Sequence, residues 1–84
     1  MKKDKEVKAW LKERNKVVKT YDVDAFKKFY EKWMAKGFYT MPLPNDLVIA
    51  LSMRKMVYHM ASATEQEKQE AAEWLKAHGS STEL

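Results

Sequence analysis

The side chains of this chain that could carry out chemistry are few and widely spaced. The chain has two histidines, His59 and His78, and no cysteine. Without cysteine, iron–sulfur clusters, thiol catalysis and redox chemistry are excluded. Zinc needs three or four converging nitrogen, oxygen or sulfur ligands, and neither histidine belongs to a His-x-x-x-His or Glu-x-x-His pattern. We therefore expect both histidines to be ordinary surface residues.

Carboxylates and hydroxyls offer no stronger signal for catalysis. Glu67, Glu70 and Glu73 recur one helical turn apart. Such a row can hold a hard cation, but no glycine-turned calcium loop accompanies it, and we expect a solvated acidic face. Phosphate cradles need glycine-rich turns ahead of a helix, whereas the chain contains only two glycines. The sequence therefore predicts no enzyme activity, no cofactor and no metal.

Lysines recur at helical spacing near the start of the chain. The set that we call the lysine stripe consists of Lys5, Lys8, Lys12, Lys16 and Lys19. A one-sided row of this kind can bind a phosphate backbone through the release of counterions. Base-specific contacts favour Arg, Asn and Gln, of which this segment offers Arg14 and Asn15. The stripe predicts either a solvated helix face or, as the alternative function, a nucleic-acid-associated protein.

Methionine and aromatic side chains form a second set of candidate site residues. These residues are Phe38, Tyr39, Met41, Met53, Met56 and Met60. Methionine adapts to differently shaped partners and is common at promiscuous binding surfaces. Because 45% of the residues are hydrophobic, a short chain could have more apolar surface than it can bury, and such a surplus indicates a partner or a second copy. Filling of the core between helices of unequal size is the favoured interpretation of the three later methionines, and a partner surface formed by all six residues is the alternative.

The elements that must position these residues are helices. Apolar side chains recur three and four positions apart, the period of a helix with one buried face. Helices are expected at about 3–19, 23–36, 45–61 and 65–78, with an apolar, proline-containing loop at 37–44. Gly37 and Gly79 follow two of them, where a left-handed residue commonly ends a helix, and Thr64 with Glu67 is a capping-box pattern. The fold class is all-α, a compact bundle of about four helices in one domain, 1–84, with a frayed tail at 80–84.

The centre of the bundle is expected between the second and third helices. Phe26 and Trp33 should be among the most buried residues, packed against Leu51 and Val57 of the third helix, which is apolar on most sides. In the first helix, Arg14 interrupts the apolar stripe and should lie at its edge.

The loop at 37–44 is too apolar to be fully solvated. Pro42 and Pro44 favour an extended backbone before them, so we expect the loop to lie across the core. Phe38 and Leu43 should point inward, and Tyr39 and Met41 should lie at the rim. A helix-turn-helix joins its two helices by a turn of about three or four residues. The loop at 37–44 is about eight residues long, so this motif is excluded.

The overall composition indicates a cytoplasmic protein. No segment approaches the roughly 18 consecutive apolar residues of a membrane span, and charged residues interrupt any secretion signal after the basic start. By composition alone we expect a small accessory protein of a bacterium or phage. The predicted function is a non-catalytic protein–protein interaction module, with a homodimer as one of its possible forms.

Overall fold

The helices occur where the apolar spacing predicts them. The computed structural model describes residues 4–83, and within that range the chain forms α-helices and irregular connections. The helices are α1 (Asp4–Val18), α2 (Val23–Ala35), α3 (Asp46–His59) and α4 (Glu65–Ala77). Their bounds agree with the predicted ones to within two residues, which confirms an all-α bundle of about four helices. The predicted first helical residue, Lys3, lies outside the described residues.

Local hydrogen bonds explain where the helices begin and end. The Thr64 hydroxyl accepts from the Glu67 N–H at 3.1 Å, and the Glu67 carboxylate accepts from the Thr64 N–H at 2.8 Å. This is the capping box predicted from the sequence. The side chains of Asp22 and Asn45 cap the starts of α2 and α3 by accepting from the N–H groups of Ala25 and Val48. Gly37, after α2, has a φ of 86°, a left-handed conformation that costs glycine little.

Helix α3 is the central element of the bundle. It packs against α1, α2 and α4, whereas α4 packs against no helix but α3 among those described. Ile49, Met53 and Val57 of α3 have no exposed surface. They lie four residues apart, so they share one face of the helix, and that face forms the core.

The predicted burial of Phe26 and Trp33 is confirmed, and both belong to the same buried cluster as Val57. Leu51 was the wrong partner for them, because it is only partly buried and lies outside that cluster. The reason is its register. With about 3.6 residues per turn, Leu51 lies roughly 160° around the helix from Ile49 and therefore points away from the core.

A stacked arginine holds α4 to the rest of the bundle. The Arg54 guanidinium carbon lies 3.4 Å from the ring centroid of Tyr21 and 4.6 Å from that of Trp74. Tyr21, between α1 and α2, has a φ of 55°, a conformation that costs an ordinary residue about 1–2 kcal/mol. The cation–π contacts of Arg54 help to offset this cost. An ion pair of 3.5 Å between Lys19 and Glu67 adds a second link to α4.

The end of the chain, predicted to fray, folds back against α3. Its backbone is irregular after α4, yet His59 Nε2 lies 2.7 Å from the carbonyl oxygen of Thr82. The Ser80 N–H also donates to the Leu75 carbonyl at 2.9 Å. The tail therefore has defined contacts as far as it is described, and Leu84 lies outside the described residues.

Candidate interaction surfaces

The loop between α2 and α3 packs against aromatic side chains of α1 and α2. The Phe38 ring is 5.4 Å from that of Trp10 and 4.9 Å from that of Trp33, measured between centroids. Leu43 also packs against the buried cluster. The prediction that Phe38 and Leu43 point inward is confirmed.

Tyr39 is more deeply integrated than the rim position predicted for it. Its ring stacks on Tyr30 with centroids 4.0 Å apart and planes inclined by 19°. Its hydroxyl oxygen accepts a 3.1 Å hydrogen bond from the Trp10 indole N–H. Burial raises the pKa of this hydroxyl above its usual value, because a buried site disfavours the charged form. The rim assignment is wrong because the tyrosine fills the space between α1 and α2.

Met41 occupies the rim, as expected. Its backbone carbonyl accepts a 2.7 Å hydrogen bond from the Tyr30 hydroxyl, which fixes the loop at this point. Its side chain is 72% exposed. The loop thus holds an apolar side chain in solvent on a backbone that is itself restrained.

These contacts leave an open groove of about 410 Å³ bounded by α1, α2, α3 and the loop. We call it the aromatic groove, and its lining includes Trp10, Arg14, Tyr30, Tyr39, Met41 and Met56. Pockets for ligands commonly measure about 300–1,000 Å³ and are mostly apolar with a few polar groups. The aromatic groove has both properties.

Arg14 is the only ionised side chain in the described lining of the aromatic groove. Its guanidinium carbon lies 5.5 Å from the Trp10 ring centroid. Its Nε and Nη2 atoms lie 3.3 and 3.1 Å from the side-chain oxygen of Asn15. Within residues 4–83 no carboxylate forms an ion pair with it. The groove therefore presents one positive charge whose nearest partner is a neutral amide.

The predicted methionine surface is divided by the packing of α3. Met53 and Met60 are buried, with 0% and 6% exposure, and their inclusion in a partner surface was wrong. Met53 shares the core-facing side of α3 with Val57 because the two are four residues apart. Core filling, the favoured interpretation, applies to these two, whereas Met56 is partly buried and lines the aromatic groove.

Four residues of the lysine stripe lie on the solvent side of α1, away from the buried Val18, and Lys19 directly follows the helix. Lys5, Lys8, Lys12 and Lys16 are exposed, and the part of the chain that the structure describes offers none of them an ion pair. Lys19 differs, because its amino group contacts the Ser62 carbonyl at 3.3 Å as well as Glu67. The structure thus leaves four residues of the stripe available to an anion.

Packing of α1 against α2 creates a second groove, of about 370 Å³, that the sequence did not indicate. We call it the lysine groove; it is lined by Lys16, Lys28 and Lys32, with Glu13, and with Val17 and Phe29 among its apolar residues. The four-residue spacing of Lys28 and Lys32 was a usable signal, but only tertiary packing places them opposite Lys16.

Glu13 is the acidic residue of the lysine groove, and its carboxylate is already paired within the fold. Its carboxylate accepts from the Lys32 amino group at 2.7 Å and from the Trp33 indole N–H at 2.6 Å. The hydrogen bond from Lys32, supported by that from Trp33, holds the pKa of Glu13 below its usual value despite partial desolvation. Glu13 therefore remains ionised and tethers α1 to α2.

The remaining candidates for chemistry have structural partners. His78 stacks on Trp74 at 3.7 Å between centroids, and its Nδ1 lies 2.8 Å from the Trp74 carbonyl oxygen. Glu70 and Glu73 accept from glutamine amides one turn earlier. Over residues 4–83, no group of three or more His, Asp or Glu side chains is arranged to hold a metal ion.

No family model matches this chain, and no curated protein or solved structure does so either. Among the described helices, none has both the length and the apolar character needed to cross a bilayer. Function must therefore be inferred from the surfaces of the molecule itself.

Proposed function

We propose that this chain is a non-catalytic protein–protein interaction module of the cytoplasm and that the aromatic groove is its binding site. The observation that carries the proposal is an open, largely apolar groove walled by Trp10 and Tyr39 and edged by the exposed Met41. Aromatic residues, Met and Arg are enriched at interfaces, and Trp, Tyr and Arg dominate binding hot spots. The groove supplies each of these types.

Apolar surface continues beyond the groove onto the start of α3. Val48 is 42% exposed and lies one turn before Ser52, which lines the groove, so the two share a helix face. Leu47, next to Val48, is 62% exposed. Exposed apolar patches with polar borders mark interaction sites, and this one adjoins the groove. A partner segment could therefore anchor in the groove and extend along α3.

The walls of the groove are organised before any partner arrives. The Trp10–Tyr39 and Tyr30–Met41 hydrogen bonds restrain three aromatic rings and the loop backbone. Side chains that are already ordered lose little conformational entropy on binding, which favours affinity. This preorganisation supports a binding role over a role in filling the core alone.

The test is selection of peptides from a random library on the immobilised full-length chain, followed by NMR mapping of the enriched peptides on ¹⁵N-labelled protein. We expect shifts at the Trp10 indole N–H and at the loop amides, and weaker binding by Met41→Ser with Val48→Ser. Lys76→Gln, an exposed change on α4, is the control. Absence of enrichment, or peptides that map away from the groove, would contradict the proposal. Light scattering of the unmodified chain decides whether the partner is a second copy.

Nucleic-acid binding remains the second candidate function, and the lysine groove is the observation that favours it. Lys16 and Lys28 are both exposed and reach this groove from different helices. A mixed-sequence DNA duplex serves as the probe. If this function is correct, Lys16→Gln with Lys28→Gln lowers affinity and reduces the slope of log affinity against log salt by about 0.9 for each phosphate that the protein no longer neutralises. Lys76→Gln should change neither, and binding that is insensitive to salt would contradict this function.

A further inference from the structure

The charge in the aromatic groove points to a particular partner chemistry. Every described lining residue except Arg14 is uncharged. A guanidinium has five N–H donors, and the two nitrogens that contact a protein acceptor share one amide oxygen, that of Asn15. Donors therefore remain for a ligand.

Neighbouring acidic groups do not neutralise this arginine. Glu13 precedes Arg14 in the chain, but its carboxylate turns toward α2 and is held by Lys32 and Trp33. The other described ion pairs involve Lys19 with Glu67 and Lys27 with Asp46. The net charge of the chain is +4, which favours the approach of an acidic partner.

The other polar groups of the wall are mostly paired with each other. The Trp10 indole N–H donates to the Tyr39 hydroxyl, and the Tyr30 hydroxyl donates to the Met41 carbonyl. What the wall retains for a ligand is the Arg14 guanidinium, the Ser52 hydroxyl and the O–H of Tyr39, whose oxygen accepts from Trp10 while its proton has no acceptor among the described residues. All three can donate, and a carboxylate is an acceptor-only group that pairs with arginine in a bidentate geometry.

Aromatic walls alone would also suit a quaternary ammonium ligand, which binds over Trp and Tyr faces. Arg14 disfavours that ligand, because a positive charge against the Trp10 ring would repel a second cation in the same groove. The charge of the groove thus selects an anion, and its apolar lining selects an apolar side chain beside that anion.

We propose that the aromatic groove binds an acidic segment of a protein partner, with a bulky apolar side chain seated against Trp10 and Tyr39 and an adjacent Asp or Glu carboxylate bound by Arg14. This inference rests on the proposed function and specifies its ligand. Arg14 acts in it as the residue that determines specificity, while the aromatic residues supply apolar contact.

The experiment uses two probes that share an indole and differ in charge, N-acetyl-L-tryptophan and N-acetyl-L-tryptophanamide. Each is titrated at millimolar concentration into the ¹⁵N-labelled full chain while the Trp10 indole resonance is followed. We expect the acid to bind at least about fivefold more tightly than the amide, a ratio that corresponds to about 1 kcal/mol. In Arg14→Gln the ratio of acid affinity to amide affinity should fall to about one.

Two further variants make this result specific to the arginine fork. Lys76→Gln removes one positive charge from α4 and should leave the ratio as in the unmodified chain. Arg14→Lys keeps the charge but loses the planar fork, so its ratio should be intermediate; it also replaces Arg14→Gln if that variant fails to fold. Peptides selected on the unmodified chain should carry Asp or Glu beside an apolar residue. Peptides selected on Arg14→Gln should lose that preference.

The outcomes separate the two proposals. If acid and amide bind the groove equally, or if Lys76→Gln lowers the ratio as much as Arg14→Gln, the carboxylate inference is overturned and the groove remains a binding site. If neither probe shifts groove resonances, or if the acid instead shifts residues of the lysine groove, the inference is likewise overturned. Failure of the peptide selection itself would overturn the proposed function.

Discussion

The indole N–H of Trp10 and the hydroxyl of Tyr39 form a 3.1 Å hydrogen bond that joins α1 to the loop between α2 and α3. The same tyrosine stacks on Tyr30 of α2. One side chain therefore links three elements of the bundle and also forms a wall of the aromatic groove. Substitutions of Tyr39 therefore affect both the stability of the fold and the wall of the groove. Different substitutions at this position separate the two effects.

Tyr39→Ala should lower the free energy of unfolding by about 2 kcal/mol or more, since it removes a partly buried ring and its stacking. Tyr39→Phe removes only the hydroxyl and should cost about 1 kcal/mol, the usual net value of one hydrogen bond. Met41→Ala, a change at a side chain that is 72% exposed, should stay within about 0.5 kcal/mol. Urea unfolding measures all three. Equal losses for Tyr39→Ala and Met41→Ala would contradict the structural role of Tyr39.

The second prediction concerns the core face of α2. Phe26→Ala and Trp33→Ala should each cost about 3–5 kcal/mol, the range for a buried aromatic side chain. Leu51→Ala should cost less, because Leu51 is partly buried and outside the buried cluster. Chemical denaturation gives the comparison when the variants show the same dependence of unfolding free energy on denaturant concentration. A loss below about 1 kcal/mol at both aromatic positions, against the usual range, would refute this packing.

The third prediction concerns pH and the Glu13 carboxylate. The hydrogen bond from Lys32 lowers the folded-state pKa of Glu13 below the usual 4.5, so ionised Glu13 stabilises the folded chain. This contribution is fully present above the unfolded-state pKa and is lost as pH falls through the folded-state pKa. We expect Glu13→Gln to be less stable than the unmodified chain at neutral pH, and the difference to shrink below about pH 4.5.

Unfolding measured from pH 7 down to pH 3 tests this expectation. The control is Glu31→Gln, an exposed residue of α2 for which the described residues provide no ion pair. Exposed unpaired charges contribute little, so its difference from the unmodified chain should be small at every pH. A pH-independent effect of Glu13→Gln would show that charge is not the cause.

The fourth prediction concerns the docking of α4. Arg54→Lys keeps the charge but loses the planar group that lies between Tyr21 and Trp74, and the two residue types are not interchangeable at a stacked site. We expect Arg54→Lys to lower the free energy of unfolding by about 1–2 kcal/mol. Relative to the unmodified chain, amide hydrogen exchange should accelerate more in α4 than in α2. Lys55→Arg, the matched change at the next residue, should alter neither. Uniformly faster exchange throughout the chain would instead indicate a global effect.

The helices and their ends were predictable because their signals are local. Thr64 and Glu67 are three residues apart and form the capping box by themselves, and Gly37 adopts the left-handed backbone that its position after α2 predicts. Burial of Phe26 and Trp33 followed from a repeat of three and four residues. These interactions lie within one or two helical turns, so they are present in the sequence pattern.

The surfaces of the molecule depended on contacts between distant segments. Met53 and Met56 are three residues apart on α3, yet one is buried and the other lines the aromatic groove. Arg14, which interrupts an apolar stripe in the sequence, becomes a charge in the groove wall only when the loop and α3 close around it. Helical periodicity determines which residues share a face, but the angles between helices and the path of the loop determine what each face meets. The sequence alone therefore determined the all-α fold and the helix ends, and the tertiary structure decided the grooves.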